Sequence, residues 1–489
     1  MPIRHGVFVE ERNTALTSAV TAQNSVQCVI GVAPVWMLDA PEAVTNVPVV
    51  CDSASEAMEK LGYSEDFAKY SLCQTMYVTS EVFQVSPVVY INVLDVTNSA
   101  HKNTAETVTL TQPVALRNVI DKAAVIKKTV SIVQGATTLV KDTDYTLEYD
   151  SAGKLVVNFI PGGNFSDSTN AVVTLTTAKP SGVTASDIIG SYNASTGAAT
   201  GAEAIQYVYP KLGLVPTIIL APGWSQNSLV GLALAAKAAN VNGVFKGIAV
   251  VDIDTTQATA YSGVGAQKTA AGYTSPHCYP IWLCVKIGSL IVAGSAVAAA
   301  CMAFTDAGNG GIPSRTPSNK LMSDVISGTC LASGVEVLLT QDQASAVNGV
   351  GVATFVNLGG WRVWGSYTGA YPTVTEIKDM WLPVRRMFDW QANSFIQTYL
   401  ERVDDPLNYV LIESIVDSEN IRCGAYAPDQ WAGAEIQFVE ADNSEEDLLA
   451  GRIVFRQKIA PYTPAQEITN ILSYDTSLLT ASLEGLTTT

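Results

Sequence analysis

Hydrophobic patterning points to an α/β (α+β) multidomain chain that carries an inserted all-β module and extended β arms at both ends. Three features of the 489 residues lead there. An apolar run, a helical pattern and a second apolar run follow one another between residues 217 and 252. A Thr- and Val-rich stretch, broken by regular turns, occupies residues 106–179. A β-prone tail lies beyond two prolines near the C-terminus.

Residues 217–221 are closed by Pro222 and Gly223, residues 247–252 form the next run, and Leu229, Leu232, Ala233 and Ala236 between them share helical spacing. Uninterrupted apolar runs suit strands buried on both faces, so this is a βαβ unit of a parallel sheet. Residues 26–34, 46–51 and 88–93 read as further strands. Ser53 with Glu56 gives a helix start and Gly62 its stop. A long helix covers 384–403, with Phe388, Ala392, Phe395, Ile396, Tyr399 and Val403 as its apolar face.

Strands at 106–112, 128–134, 144–149, 154–160 and 171–177 are separated by turn residues such as Gly135, Asp150, Gly153 and Pro161. Short strands at this spacing make a small β-sandwich or barrel. The α/β texture resumes after Pro180, which makes residues 100–180 an insertion.

In the tail, residues 453–459 alternate like a strand. Pro461 and Pro464 forbid helix and keep the chain extended. Ile468, Thr469, Asn470, Ile471, Leu472, Ser473 and Tyr474 are β-prone again, and Gly6, Val7, Phe8, Val9 and Glu10 alternate at the opposite end. A terminal strand needs a sheet edge, its own or a neighbour's, and the second choice builds a polymer.

Hydrophobic residues make up 48% and charged ones 15%, which fits a chain that buries surface internally or against copies of itself. A net charge of −17 argues against direct contact with nucleic acid, whose phosphates need a basic face. Residues 287–304 carry no charge and approach the length of a membrane span. They are rich in Ala, Gly and Ser and stand alone between Lys286 and Asp306, so they read as a buried core segment, with no membrane insertion. Eight cysteines without a CxxC pair, and no secretory signal at the start, point to reduced, buried thiols.

No dinucleotide fingerprint, phosphate loop or nucleophile elbow occurs. The three histidines are His5, His101 and His277; the last, near Cys278 and Cys284, lacks a second ligand pair for zinc. Asp252 and Asp254 at a strand end read as cap or turn residues. Ser444 and Asp447 in an acidic run read as a helix start. Trp361, Trp364, Trp381 and Trp390 read as core and interface aromatics. No catalytic residue, metal or cofactor is expected.

The order of several short motifs resembles the contractile tail sheath proteins of bacteriophages and tailocins, the P2-like family. They are His5 to Glu10 at the start, Gly31, Ala33 and Pro34, then Asn46 and Pro48. Val215, Pro216, Pro222 and Gly223 flank a core strand. Ala293, Gly294, Asp306, Gly310, Pro317 and Asn319 follow, then Trp364, Gly365, Arg385 and Arg386. The end brings Gly451, Pro461, Pro464, Ala465, Gln466 and Glu467. Ser314, Arg315 and Thr316 depart from the family's aromatic-containing run.

The resemblance implies a body of residues 23–99 and 181–460, its inner C-terminal domain at about 350–460. It also implies arms at 1–22 and 461–489 and the β insertion on the outer surface. Such subunits stack as six-fold rings in a helix around the tail tube, exchange strands, and contract to drive the tube through the host envelope. The implied partners are further copies of the chain, the tail tube protein, and the baseplate and tail terminator proteins. The implied location is the virion, after synthesis in the host bacterial cytoplasm. Pro461 and Pro464 become the arm hinge. Glu413, Asp417, Glu419 and Arg422 become the charges of a tube-contacting helix. Two other classes stay open on the residues alone: a static shell or fibre protein, and an α/β enzyme with an accessory β domain.

Overall fold

The computed structural model describes residues 26–150, 152–322 and 324–484. At its centre the strand Gln27–Gly31, all five residues buried, pairs in parallel with Ile218–Leu220 on one side and Val88–Asn92 on the other. Ile248–Asp252 and Cys278–Ile281 extend the sheet in parallel, and Val49–Cys51 closes its far edge antiparallel. The order is 278, 248, 218, 27, 88, 49 by first residue. Helices cover both faces, as a parallel sheet requires. Among them Gly294–Ala307 buries 12 of its 14 residues, which accounts for the uncharged run as a core helix. Among the described residues no helix is long and apolar enough to cross a membrane.

Local signals fix several element ends. The Ser53 hydroxyl accepts from Glu56 N at the start of Ala54–Leu61, and Gly62 closes the helix at φ +76°. Ser444 caps Glu445–Leu449 in the same way.

Two helices bury a different face from the one their apolar spacing predicts. In Ser228–Ala239, Leu229 and Leu232 are 65% and 42% exposed, while Val230, Gly231, Leu234, Ala235 and Ala238 are buried. Gly231 decides the orientation: a Cβ there would come within 2.1 Å of the Tyr273 hydroxyl, which donates to Ser225 O at 2.6 Å. Close approach on the glycine side outweighs burying two leucines. In Leu382–Tyr399, Tyr399 is buried as expected, but Phe388, Ala392, Phe395 and Ile396 are half-buried and Val403, beyond the helix, is exposed. The buried side carries Arg385, Arg386, Asp389, Gln391, Asn393 and Ser394 beside Leu382, Val384, Met387 and Trp390.

The two buried arginines of this side are held in ion pairs. Arg386 grips Asp306 through both terminal guanidinium nitrogens, Nη1 to Oδ1 at 3.1 Å, with both residues buried. The pair joins Leu382–Tyr399 to the end of the core helix Gly294–Ala307. Arg385 bonds Asp379 at 3.1 Å and Asp389 at 2.9 Å. A second hydrophobic cluster, Ile312, Met387, Trp390, Cys423 and Trp431, lies beside this seam.

Residues 106–175 form two antiparallel sheets that enclose a separate cluster including Ile132, Leu155, Val157 and Val173. One sheet holds Glu106–Leu110, Ala171–Leu175, Ser131–Gln134 and Thr137–Leu139; the other holds Arg117–Val119, Leu155–Phe159 and Tyr145–Tyr149. They stack as a sandwich, and no closed barrel forms. The strands at 117 and 137 are three residues each, too short to show an alternation. The module is clamped to the body. The Tyr149 hydroxyl donates to Trp36 O at 3.1 Å, the two rings meet edge to face at 5.2 Å, and Lys127 and Lys141 share Asp39 at 3.2 and 2.8 Å.

The Arg386–Asp306 pair generates a test. Asp306→Asn strands a buried guanidinium and is expected to lower the unfolding free energy by ~3–5 kcal/mol in urea titrations, whereas Asp306→Leu combined with Arg386→Met costs much less.

Candidate assembly surfaces

Trp431–Phe438 and Phe455–Pro461 pair antiparallel as a two-stranded ribbon, Ile436 opposite Gln457. A ribbon has two outer edges of backbone groups and too little interior to stand alone. It is carried by Leu382–Tyr399 and by the helix Tyr409–Ala425, which starts at the Asn408 cap.

Glu419 and Arg422 lie within this support. Arg422 Nε bonds Glu419 Oε2 at 3.1 Å, Gln457 Nε2 donates to Glu419 Oε1 at 3.0 Å, and Arg422 Nη2 donates to Gln391 Oε1 at 2.7 Å. One network therefore ties both helices to the ribbon. Burial pushes the Glu419 carboxyl up. The Arg422 guanidinium and the Gln457 and Gln391 amides outweigh it and hold the carboxyl below its ordinary range. As surface charges Glu419 and Arg422 are a correction: both are buried and spent on each other, an i,i+3 pair that faces inward. Glu413 and Asp417, four residues apart on one face, remain exposed. They border a groove of about 640 Å³ between Tyr409–Ala425 and Trp431–Phe438, with Ile412, Val416 and Phe438 along it.

The chain leaves the ribbon after Pro461, which still pairs with Trp431. Pro464, Ala465, Gln466 and Glu467 then pass beside Ser318, Asn319, Trp364 and Gly365 around a cavity of about 710 Å³. Three runs distant in sequence meet here. The Tyr367 hydroxyl donates to Gln466 Oε1 at 2.5 Å, and its ring stacks on Tyr371 at 3.9 Å and on Trp381 at 4.6 Å. Ser318 Oγ accepts from Gly365 N at 3.0 Å.

Beyond this anchor the side chains lose their cover. Ile468, Ile471, Leu472 and Tyr474 are 89, 86, 87 and 78% exposed, a degree close to that of an unfolded chain. Thr469, Asn470 and Ser473 are exposed too, and among the described residues 468–474 pairs with no strand. Thr476–Glu484 is a helix, which the Leu-rich pattern alone did not reveal. Its signal is Asp475, whose carboxylate accepts from Ser477 N at 2.8 Å. Leu478 and Leu483 on it are also exposed. Gly6, Val7, Phe8, Val9 and Glu10 lie outside the described residues.

The groups weighed for chemistry have structural partners. Asp252 accepts from Ser225 Oγ at 2.8 Å and from Ser295 N and Oγ at 2.8 and 2.6 Å, holding the start of the core helix; burial pushes its carboxyl up against these bonds. Asp254 turns onto Thr256. His277 Nδ1 sits 2.9 Å from Gly247 O and 3.3 Å from Asp389. Among the described residues no group of three or more His, Cys, Asp or Glu is placed to hold a metal ion. All eight cysteines are free thiols.

No family model matches the sequence. The chain is 28% identical over 491 residues to a tail sheath protein of Burkholderia phage BcepMu, covering 95% of both chains. Its fold is shared with the sheath complex of an extracellular contractile injection system, PVC, in the contracted state. That match has a TM-score of 0.57 and 13% identity, and covers 98% of this chain and 99% of the other. It is shared also with the contracted helical sheath of the anti-feeding prophage, at a TM-score of 0.56 and 15% identity over 96% and 99%.

Glu419 makes the ribbon support sensitive to acid. Its folded-state pKa is depressed, so its stabilisation is present above the unfolded value of about 4.3 and is lost as pH falls through the folded value. Urea midpoints measured from pH 7 down to pH 3 are expected to fall for the native chain. Glu419→Gln should start lower at pH 7, by ~3 kcal/mol, and show a shallower acid limb.

Proposed function

We infer that the chain is a contractile tail sheath protein, a structural subunit rather than an enzyme. Likeness to a tail sheath protein over 95% of both chains supports this, and one feature of the subunit carries it physically. An apolar arm is anchored at its root by Tyr367 and Gln466 and is exposed from Ile468 to Leu483. An isolated globular protein gains nothing from holding Ile468, Ile471, Leu472 and Tyr474 in water. A subunit whose arm is completed by another copy does.

In this reading residues 468–474, and Gly6 to Glu10 at the other end, add as strands to the ribbons of neighbouring copies. Pro461 and Pro464 mark where the arm leaves the body. Contacts of this kind join different surfaces of each copy, and such heterologous contacts generate open helices. The chain then forms stacked six-fold rings around a tail tube, with Glu413 and Asp417 on the helix that meets the tube. Ring ends engage baseplate and tail terminator proteins. The sandwich of residues 106–175 lies on the outside. The assembled protein belongs to the virion tail, after synthesis in the host bacterial cytoplasm. Contraction is a switch between two rigid-body packings separated by a barrier, with the arms keeping copies linked.

Deleting residues 470–489, or residues 1–14, should leave folded monomers by circular dichroism that build no cylinders under negative stain. Intact cylinders from either truncation would remove the arms from the assembly. The native protein should show two helical lattices, extended and contracted; one lattice under all conditions would make it a static shell.

A further inference from the structure

Two of the free thiols face each other across a pair of strands. Cys284–Ile287 lies between Leu290–Val292 and Ile326–Cys330, antiparallel to both, and Cys284 stands directly opposite Cys330. Among the described residues no other two cysteines are opposed in a sheet: Cys28 faces Val89 and Ile219, Cys51 faces Val88, and Cys278 faces Ala249. On the far side of its strand, Leu331 N donates to Val335 O at 2.9 Å and Val337 N to Thr329 O at 3.0 Å. The N–H and C=O of Cys330 therefore turn toward Cys284, which makes the two a hydrogen-bonded pair with Cα atoms about 5.5 Å apart. That lies within the ~4.4–6.8 Å that a disulfide spans. The side chains leave the same face, with Cβ atoms roughly 5.5 Å apart, about 1 Å wider than a disulfide accepts at ease. Closure draws the strands together, and a bond closed under strain is readily reduced.

Access differs between the two sulfurs. Cys284 and Lys286 are partly exposed on one face of their strand, while Val285 and Ile287 point into the core. Cys330 is fully buried. Burial pushes both thiols up, and the Lys286 ammonium offsets this in part at Cys330. Thiols held protonated react slowly, so the pair stays open until an oxidant reaches Cys284. The pair also brackets a decisive segment. Residues 284–330 contain the whole core helix Gly294–Ala307, with Asp306 of the joint to Arg386.

We propose that Cys284 and Cys330 form a reversible cross-strand disulfide by exchange with a low-molecular-weight disulfide, pinning both ends of the segment that carries the core helix. The Cys284 thiolate attacks the small disulfide, a mixed disulfide forms on Cys284, and one small thiolate leaves. The Cys330 thiolate then attacks Cys284 Sγ, the bond between the strands forms, and the second small thiolate leaves. Two protein thiols are oxidised, one small disulfide is reduced to two thiols, and the two protons pass to the leaving groups. The timing rests on the virion-tail reading above, in which a chain made in a reducing cytoplasm ends outside the cell. The chemistry of the pair does not depend on it.

The full-length native chain is reduced, desalted and incubated with glutathione disulfide at mildly alkaline pH, then unfolded, alkylated and mapped by mass spectrometry. It is expected to lose two of its eight free thiols and to yield one cross-linked peptide joining Cys284 to Cys330. Cys330→Ala should stop at a mixed disulfide on Cys284, and Cys284→Ser should keep all its thiols. The oxidised native chain should unfold at higher urea, and dithiothreitol should reverse the rise. Loop closure over residues 284–330 sets a ceiling of about a thousandfold in the unfolding equilibrium constant, which strain reduces. Eight intact thiols, a cross-link between other cysteines, or a lower urea midpoint after oxidation overturns the proposal, and the native-chain map decides even if a variant fails to fold. Cylinder formation is scored separately under negative stain. Cylinders from a chain whose pair does not close sink the disulfide alone, whereas failure to form any cylinder sinks the sheath reading.

Discussion

Arg386 meets Asp306 at the joint between the α/β body and the C-terminal helices, and what the C-terminal region presents depends on that joint. Both groups are out of water, so neither tolerates loss of the other. The pair sets the rotation of Leu382–Tyr399, which turns Gln391 toward Glu419 and Arg422. That network in turn holds Gln457, and Gln457 belongs to the ribbon strand from which the arm departs. A chain of buried polar contacts thus runs from the core helix to the root of the arm. Such contacts fix one geometry in a way that apolar packing of similar area does not.

The same logic explains why the molecule spends its hydrophobic residues unevenly. The parallel sheet and Gly294–Ala307 use them inside. Leu229, Leu232 and the arm keep them outside, and the polar faces of two helices are buried in their place. For a lone subunit this distribution is costly. For a subunit that is completed by copies of itself, the exposed set is a second core waiting for its other half, and the buried ions keep the surfaces that carry it in register.

Much of the fold was legible in the sequence where one signal acted alone. The parallel strands appear as unbroken apolar runs because both faces are covered, and Ser53, Gly62 and Ser444 mark helix ends through bonds confined to a few residues. Legibility failed where distant residues decide. In Ser228–Ala239 small apolar residues line every side, so spacing could not choose a face, and Tyr273 chose it through Gly231. The partners Arg386 and Asp306 lie 80 residues apart. In the sequence Glu419 and Arg422 count among the charges of a tube-contacting helix, because an i,i+3 spacing looks the same facing in or out. At the assembly surface the proline-punctuated departure was readable. Its anchoring by Tyr367, beside a cavity lined by Ser318 and Trp364, was not, since it needs three separated runs brought together.

The ribbon also fixes how the arm bears force. The arm leaves at Pro461, the end of a strand whose hydrogen bonds to Trp431–Phe438 lie perpendicular to its length. A pull along that strand loads the rungs together, in shear, so that no single bond opens first. Had the arm departed from the side of the ribbon, the same pull would have peeled the rungs one at a time. A pull on the arm along this strand is in this way met by a whole ladder at once.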